Sequence, residues 1–255
     1  MKRIKSLYPF RTRFAQDIVA EVLMPKRETG RVAIIATGLP STPVKKELLQ
    51  FLADQGYVAI YPRYRGTWES GGVFLNHSPA QDITDVLDEL KRMRSFRDAY
   101  TGEKVLLKIS AVHLFGTSFG GPAVLLNSNH ELVKKVIALA PVTNWKVEGE
   151  TEPFQEHIRF TEEAFGAAFR PKSPLDWQKL ITTDFYNPIR HTEKINGRKV
   201  FILHAMDDTV VPYQPSVELA RVTGSTLYLK PTGGHHLHMA HLFLWKKIDA
   251  FLKKR

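Results

Sequence analysis

No cysteine occurs among the 255 residues. A disulfide framework, a thiolate zinc site and a cysteine nucleophile are therefore excluded together. Long apolar runs are missing as well: the hydrophobic segments are short and broken by charge or proline, and none approaches the roughly 20 residues a membrane-spanning helix needs. Met1-Lys2-Arg3-Ile4-Lys5 is basic, but the apolar stretch of a signal peptide does not follow it. The expectation is a soluble, cytoplasmic protein with no membrane partner. No phosphate-cradling glycine loop or dinucleotide fingerprint follows the first apolar strand, so no nucleotide cofactor is indicated. Internal repeats and low-complexity tracts are not visible either.

What is present suits one packed domain over residues 1–255. Hydrophobic residues make up 43% and charged residues 24%, a balance typical of globular rather than disordered chains. Lys and Arg number 36 against 26 Asp and Glu, a formal charge of +10. The cations are scattered, with small clusters only at Lys2–Lys5, Lys91–Arg97 and Lys253–Arg255. That distribution reads as a solvated basic surface and not as the concentrated patch that binds nucleic acid. Oligomeric state is not legible.

Apolar periodicity alternates between two kinds. Ile18 to Met24 reads as an early strand, and Arg31 to Ala36 as a buried strand, continuously apolar and β-branched. Pro43 to Gln55 has helical spacing and stops at Gly56. Strand Tyr57 to Tyr61 follows, then a loop rich in Gly and aromatics from Pro62 to Ser78, then a helix over Pro79 to Met93. Next come strand Ala111 to Phe115, helix Phe119 to Ser128 and strand Lys135 to Ala140. After an interruption at 145–197, strand Lys199 to His204, helix Pro215 to Val222, strand Thr226 to Leu229 and helix Leu237 to Lys253 complete the chain. Strands alternating with amphipathic helices imply an α/β fold: a mostly parallel sheet, helices on both faces, working residues on loops at the strands' carboxyl ends. The interruption carries Phe154, Ile158, Phe160, Phe165, Phe169, Trp177, Leu180, Phe185 and Tyr186 amid charges and prolines. It reads either as a small helical cap over a site or as added core packing.

Gly116-Thr117-Ser118-Phe119-Gly120-Gly121 is the most informative stretch. Gly-x-Ser-x-Gly gains meaning where a buried strand turns sharply into a helix, because glycines relieve the crowding around a serine held in strained backbone. Ser118 would then present its oxygen at a helix amino terminus, where developing negative charge is favoured. A serine hydroxyl needs a positioned base, itself oriented by a carboxylate. Downstream, Phe201-Ile-Leu-His204-Ala-Met-Asp207-Asp208-Thr-Val-Val-Pro212 is a buried strand ending in acids, and Thr226–Leu229 leads into Gly233-Gly234-His235-His236. Each candidate falls just past a strand, where such partners belong.

These stretches resemble the α/β-hydrolase superfamily, and most of all the catalytic domain of the prolyl oligopeptidase and acylaminoacyl-peptidase group. The matching residues are Tyr61-Pro-Arg-Tyr-Arg-Gly66, Gly116–Gly121, Asn187-Pro-Ile189, His204–Pro212 and Gly233-Gly-His235. The resemblance implies Ser118 as nucleophile, Asp208 as the acid four residues before the Pro (Asp207 being the alternative) and His235 as the base. His236 and His238 then read as helix-start residues lining or supporting the site. It also implies an oxyanion hole from the backbone N–H groups of Phe119 and Leu39, although Thr37-Gly38 stands where that group usually has His-Gly. The chain offers no room for the amino-terminal propeller of prolyl oligopeptidases, and the 145–197 insert is larger than the group's usual connection, as in capped esterases and lipases.

Small acyl esters are thus the expected substrates, with aminopeptidase or acyl-peptide hydrolase action on short peptides as the alternative and a catalytically silent binding protein on this fold as the rival from another class. Trp68, Phe74 and His77 on the long loop are candidates to line the acyl or alcohol pocket; they could equally only pack that loop against the insert. His235, His236, His238 and His241 form no recognised metal-ligand pattern such as His-Glu-x-x-His, so no metal or other cofactor is expected.

Overall fold

The computed structural model describes residues 9–254. The basic cluster at residues 2–5 and Arg255 lie outside the described residues. The chain enters through a hairpin: β1 (Phe10–Phe14) pairs antiparallel with β2 (Ile18–Leu23), through a turn in which Ala15 and Gln16 both take positive φ. β3 (Arg31–Ala36) leads to α1 (Lys46–Asp54), and β4 (Tyr57–Pro62) to α2 (Pro79–Met93). Ser78 caps α2 by accepting from the Ala80 N–H, and Pro79 supplies the preset φ of a first helical residue. A separate small ribbon, β5 (Ser95–Arg97) with β6 (Lys104–Leu106), precedes β7 (Ala111–Thr117). Then follow α3 (Gly120–Leu125), β8 (Val133–Leu139), α4 (Phe154–Phe165), α5 (Leu175–Thr182), β9 (Val200–Ala205), α6 (Gln214–Thr223), β10 (Thr226–Lys230) and α7 (Leu242–Leu252).

The main sheet has eight strands in the order β1-β2-β4-β3-β7-β8-β9-β10, parallel except where β2 meets β1 and β4. Alternate residues of each central strand feed two cores. Val32 and Ile34 of β3 face α2, α3 and α6, with Ile83, Leu87, Val124 and Leu219 in the same cluster. Ala33 and Ile35 face α1 and α7, with Leu49, Leu52, Trp245 and Ile248. Burial on both faces is why these strands read as unbroken apolar runs. Among the described residues, no helix is long and apolar enough to cross a membrane.

Local departures from the sequence reading have identifiable causes. The last helix begins at Leu242 rather than Leu237, because residues 237–241 turn across a cleft and bury Met239 instead. α3 stops at Leu125, where the Asn127 amide donates to the carbonyls of Ala123 and Ala80, tying the chain to α2. β1 is a strand whose Phe10, Thr12 and Phe14 point inward, a register interrupted by two arginines and too short to read as a pattern.

Candidate active site

β7 ends at Thr117, Ser118 takes φ +49°, and α3 starts two residues later. Such a turn leaves no space for side chains beside the serine. A Cβ on Gly116 would collide with the Val124 side chain and the Gly120 carbonyl, and a Cβ on Gly120 would enter the Ala36 carbonyl at the end of β3. The backbone is pinned from the next strand: the Ser118 N–H donates to the Leu139 carbonyl (3.1 Å), and the Val142 N–H to the Ser118 carbonyl (3.2 Å). A non-glycine residue held at such φ costs about 1–3 kcal/mol, which the surrounding packing offsets.

The structure brings three distant loops to this point. His235 Nε2 lies 2.9 Å from Ser118 Oγ, and His235 Nδ1 lies 2.9 Å from Asp208 Oδ2. A carboxylate only accepts, so Nδ1 carries the proton and Nε2 is left to accept from the serine hydroxyl. The Asp208 side chain is fully buried, and four donors meet it. Oδ1 accepts the N–H groups of Val210 (3.0 Å) and Val211 (2.9 Å); Oδ2 accepts from His235 and from His204 Nε2 (3.1 Å). Burial alone would raise this carboxyl's pKa, but the hydrogen bonds from His204, His235 and Val211 outweigh it and hold the group well below the usual carboxylate range.

His204, fully buried at the end of β9, was not visible as a site residue. Its Nε2 faces two acceptors, Asp208 Oδ2 and the Val211 carbonyl (2.9 Å), so that nitrogen donates; Nδ1 sits 2.9 Å from Ser216 Oγ of α6. The readable signal was a histidine closing a buried strand four residues before an acid. Asp207, the alternative acid, turns elsewhere. Its exposed carboxylate accepts the N–H groups of Gly233 (3.0 Å) and Gly234 (2.8 Å) and makes no contact with the imidazole.

On the opposite side of Ser118, the loop after β3 is fixed by the Gly38 N–H donating to Thr117 Oγ1 (3.1 Å). Leu39 lines both cavities at Ser118. Phe119 is buried among Tyr64, Phe74, Trp145 and Tyr186, and the Tyr186 hydroxyl donates to its carbonyl (2.8 Å). Among the described residues, no turn, loop or cap hydrogen bond engages the N–H of Leu39 or of Phe119.

Two cavities open at Ser118. A wide cleft of about 1190 Å³ runs between the loop ahead of α1, the outer side of α4 and residues 235–240; Lys45, Lys46, Glu152, Glu156, Arg159 and Glu163 are on its walls. A narrow cavity of about 80 Å³ lies under the insert, walled by Val142, Trp145, Phe154, Ile158, Trp177 and Leu180. Trp68, Phe74 and His77 line neither. Trp68 packs on Phe165 and Phe169 and donates Nε1–H to the Ser41 carbonyl (3.1 Å). Phe74 is buried between Phe119, Phe169 and Trp177. His77 faces Asp82 at 3.3 Å, a contact that raises its pKa. The loop thus packs against the insert, and the walls of the narrow cavity come mostly from the insert, with Leu39, Val142, Val210 and Val211 completing them. His236 and His238 line the cleft, and His241 precedes the first turn of α7.

A family model described as the prolyl oligopeptidase family matches residues 44–236, three quarters of the chain and all three residues of the line. The chain belongs to the prolyl oligopeptidase family. It is thereby a serine hydrolase, an esterase or a peptidase. Among curated proteins, none matches it in sequence. Solved structures share its fold: the Pyrococcus furiosus esterase (TM-score 0.68, 14% identity, covering 99% of this chain and 96% of that one) and Est1E from Butyrivibrio proteoclasticus (0.64, 18%, 97% and 100%). The Pyrococcus horikoshii acylaminoacyl peptidase is similar too (0.62, 18%), but this prolyl oligopeptidase family chain spans only 40% of its length while 96% of the chain is covered. The α/β-hydrolase fold is common to all three.

Proposed function

We propose that the protein hydrolyses carboxylic esters with small acyl groups by two-step acyl transfer, with Ser118 as nucleophile, His235 as general base and then acid, and Asp208 holding the imidazole tautomer. The observation that carries this reading is the unbroken line of 2.9 Å contacts from Ser118 through His235 to Asp208. In the first step Ser118 Oγ bonds to the ester carbonyl carbon while its proton passes to His235 Nε2; collapse of the tetrahedral species returns that proton to the departing alcohol. Water repeats the sequence on the acyl-enzyme. The N–H groups of Leu39 and Phe119 would receive the oxyanion, and one such donor is typically worth about 3 kcal/mol of barrier.

The two cavities favour a particular ester. About 80 Å³ is roughly half the ~150 Å³ apolar cavity that accommodates benzene, so the acyl side would take a chain of a few carbons, with residues 145–197 acting as a cap over it. The open cleft would take the larger, polar leaving group. A ladder of p-nitrophenyl esters should give the highest kcat/KM between acetyl and butyryl and a fall of at least about tenfold by octanoyl; a rising series would contradict the assignment of the narrow cavity. Ser118→Ala should abolish turnover and fluorophosphonate labelling, and unlabelled wild-type protein would instead favour a silent binding protein.

A peptidase reading draws support from the likeness to the acylaminoacyl peptidase. Acylated peptide anilides compared with esters at matched concentration separate the two, with esters expected to be faster.

A further inference from the structure

His235 rides on residues 231–241, which join β10 to α7 without helix or strand. Among the described residues, the main-chain hydrogen bonds of this segment are local, from the Leu237 N–H to the His235 carbonyl and from the His241 N–H to the His238 carbonyl (both 3.0 Å), with one into α7 from the Trp245 N–H to the His241 carbonyl (2.9 Å). Its buried apolar anchor, Met239, lies four residues beyond the imidazole. Ahead of the imidazole, side chains attach the segment to the sheet: Lys230 Nζ donates to the Thr232 carbonyl, and Asp207 receives the N–H of Gly233 on Oδ2 and that of Gly234 on Oδ1. Both glycines take positive φ, +152° and +59°, a backbone that directs two successive N–H groups to a single carboxylate and that other residues rarely adopt.

We propose that Asp207 is a positioning residue: it clamps the two residues before His235, so that the imidazole stands in line between Ser118 and Asp208. The neighbouring acids divide one task. Asp208 fixes the ring's tautomer and rotation, and Asp207 fixes the backbone on which the ring is carried. The clamp supplies what the loop's own structure does not, because the imidazole must be held to within about 0.5 Å of its working position. The proposal rests on reading Ser118, His235 and Asp208 as the catalytic line.

Asp207 is exposed, so its variants are expected to fold. Asp207→Ala should lower kcat for p-nitrophenyl acetate by about ten- to a hundredfold, the scale of a displacement near 1 Å, with KM within twofold of wild type. Asp207→Asn keeps one acceptor oxygen and should fall between the two. Amide exchange at residues 233–235 should accelerate in Asp207→Ala, while the melting temperature stays near that of wild type. Wild-type kcat in Asp207→Ala, or a loss expressed wholly in KM, would overturn the clamp. Ser118→Ala and His235→Ala are assayed alongside: if they are inactive while Asp207→Ala is not, the clamp alone fails, whereas activity in either removes the catalytic line beneath it.

Discussion

At the scale of single residues, the site stores strain and polarity that folding alone would not select. Ser118 sits at φ +49° on a turn where the residues two before and two after it, Gly116 and Gly120, had to be glycine. Replacing it by glycine removes the Cβ penalty at that φ, about 1–3 kcal/mol, against roughly 0.5–1 kcal/mol of added unfolded-state entropy. Ser118→Gly should therefore raise the melting temperature by a few degrees while abolishing activity, and a lower melting temperature would show that the turn is unstrained. His204 is the second such residue. Among the described residues, its Nε2–H is one of only two side-chain donors on the Asp208 carboxylate. Gln can place an N–H near the same point, whereas Phe fills the volume without one. His204→Gln should keep most of kcat, and His204→Phe should lose about tenfold or more at unchanged KM, in line with removing a charge-assisted hydrogen bond worth about 1.5–3 kcal/mol. Equal rates in the two variants would leave His204 with a packing role only.

At the scale of elements, legibility followed the source of each signal. α2 spans the residues its spacing indicated, because Ser78 and Pro79 mark its start chemically. β3, β4 and β7 were readable because burial on both faces leaves a continuous apolar run. Ser118 and the loops carrying the acid and the histidine could be located because in a parallel sheet each loop after a strand opens on one edge, so position along the chain carries position in space; Asp208 over Asp207 and His235 over His236 came from the resemblance to the prolyl oligopeptidase group. The pocket walls could not be found this way. Trp68, Phe74, Trp145 and Trp177 are all aromatics in irregular or inserted segments, and only tertiary packing decides which of them face a cavity. That packing is set by backbone contacts between the 63–78 loop and the insert: Trp68 N–H to the Ala168 carbonyl, Arg170 N–H to the Gly66 carbonyl, and Phe74 N–H to the Arg170 carbonyl, at 2.8, 2.8 and 2.9 Å. The Arg170 guanidinium adds bonds to the carbonyls of Trp68, Ser70 and Ala167. Arg65, held by Asp17, Asp82 and Asp85, anchors the loop in turn. Arg170→Ala should destabilise the protein by about 1–3 kcal/mol and speed amide exchange at residues 66–74 and 166–171. With the insert loosened, the preference for butyryl over octanoyl esters should shrink; an unchanged ratio would mean that the stitching does not shape the narrow cavity.

At the scale of the whole molecule, the formal charge of +10 competes with the local charges of the cleft. Near Ser118 the two signs almost balance, with Lys45, Lys46 and Arg159 set against Glu47, Glu152, Glu156 and Glu163. Ionic strength decides which field a substrate feels. At about 0.01 M salt the screening length is about 30 Å, comparable to the molecule, and the net positive charge acts; at about 0.15 M it is about 8 Å, and only the cleft's own residues act. An ester with an anionic leaving group should therefore show a kcat/KM that falls several-fold between those conditions, while p-nitrophenyl acetate, being neutral, stays constant. The loss should sit in kcat/KM and leave kcat unmoved, since steering changes encounter and not the bonded line at Ser118. Parallel decline for both esters would trace the salt effect to the fold, and a flat profile for the anion would mean that the four glutamates cancel the molecule's charge where substrates enter.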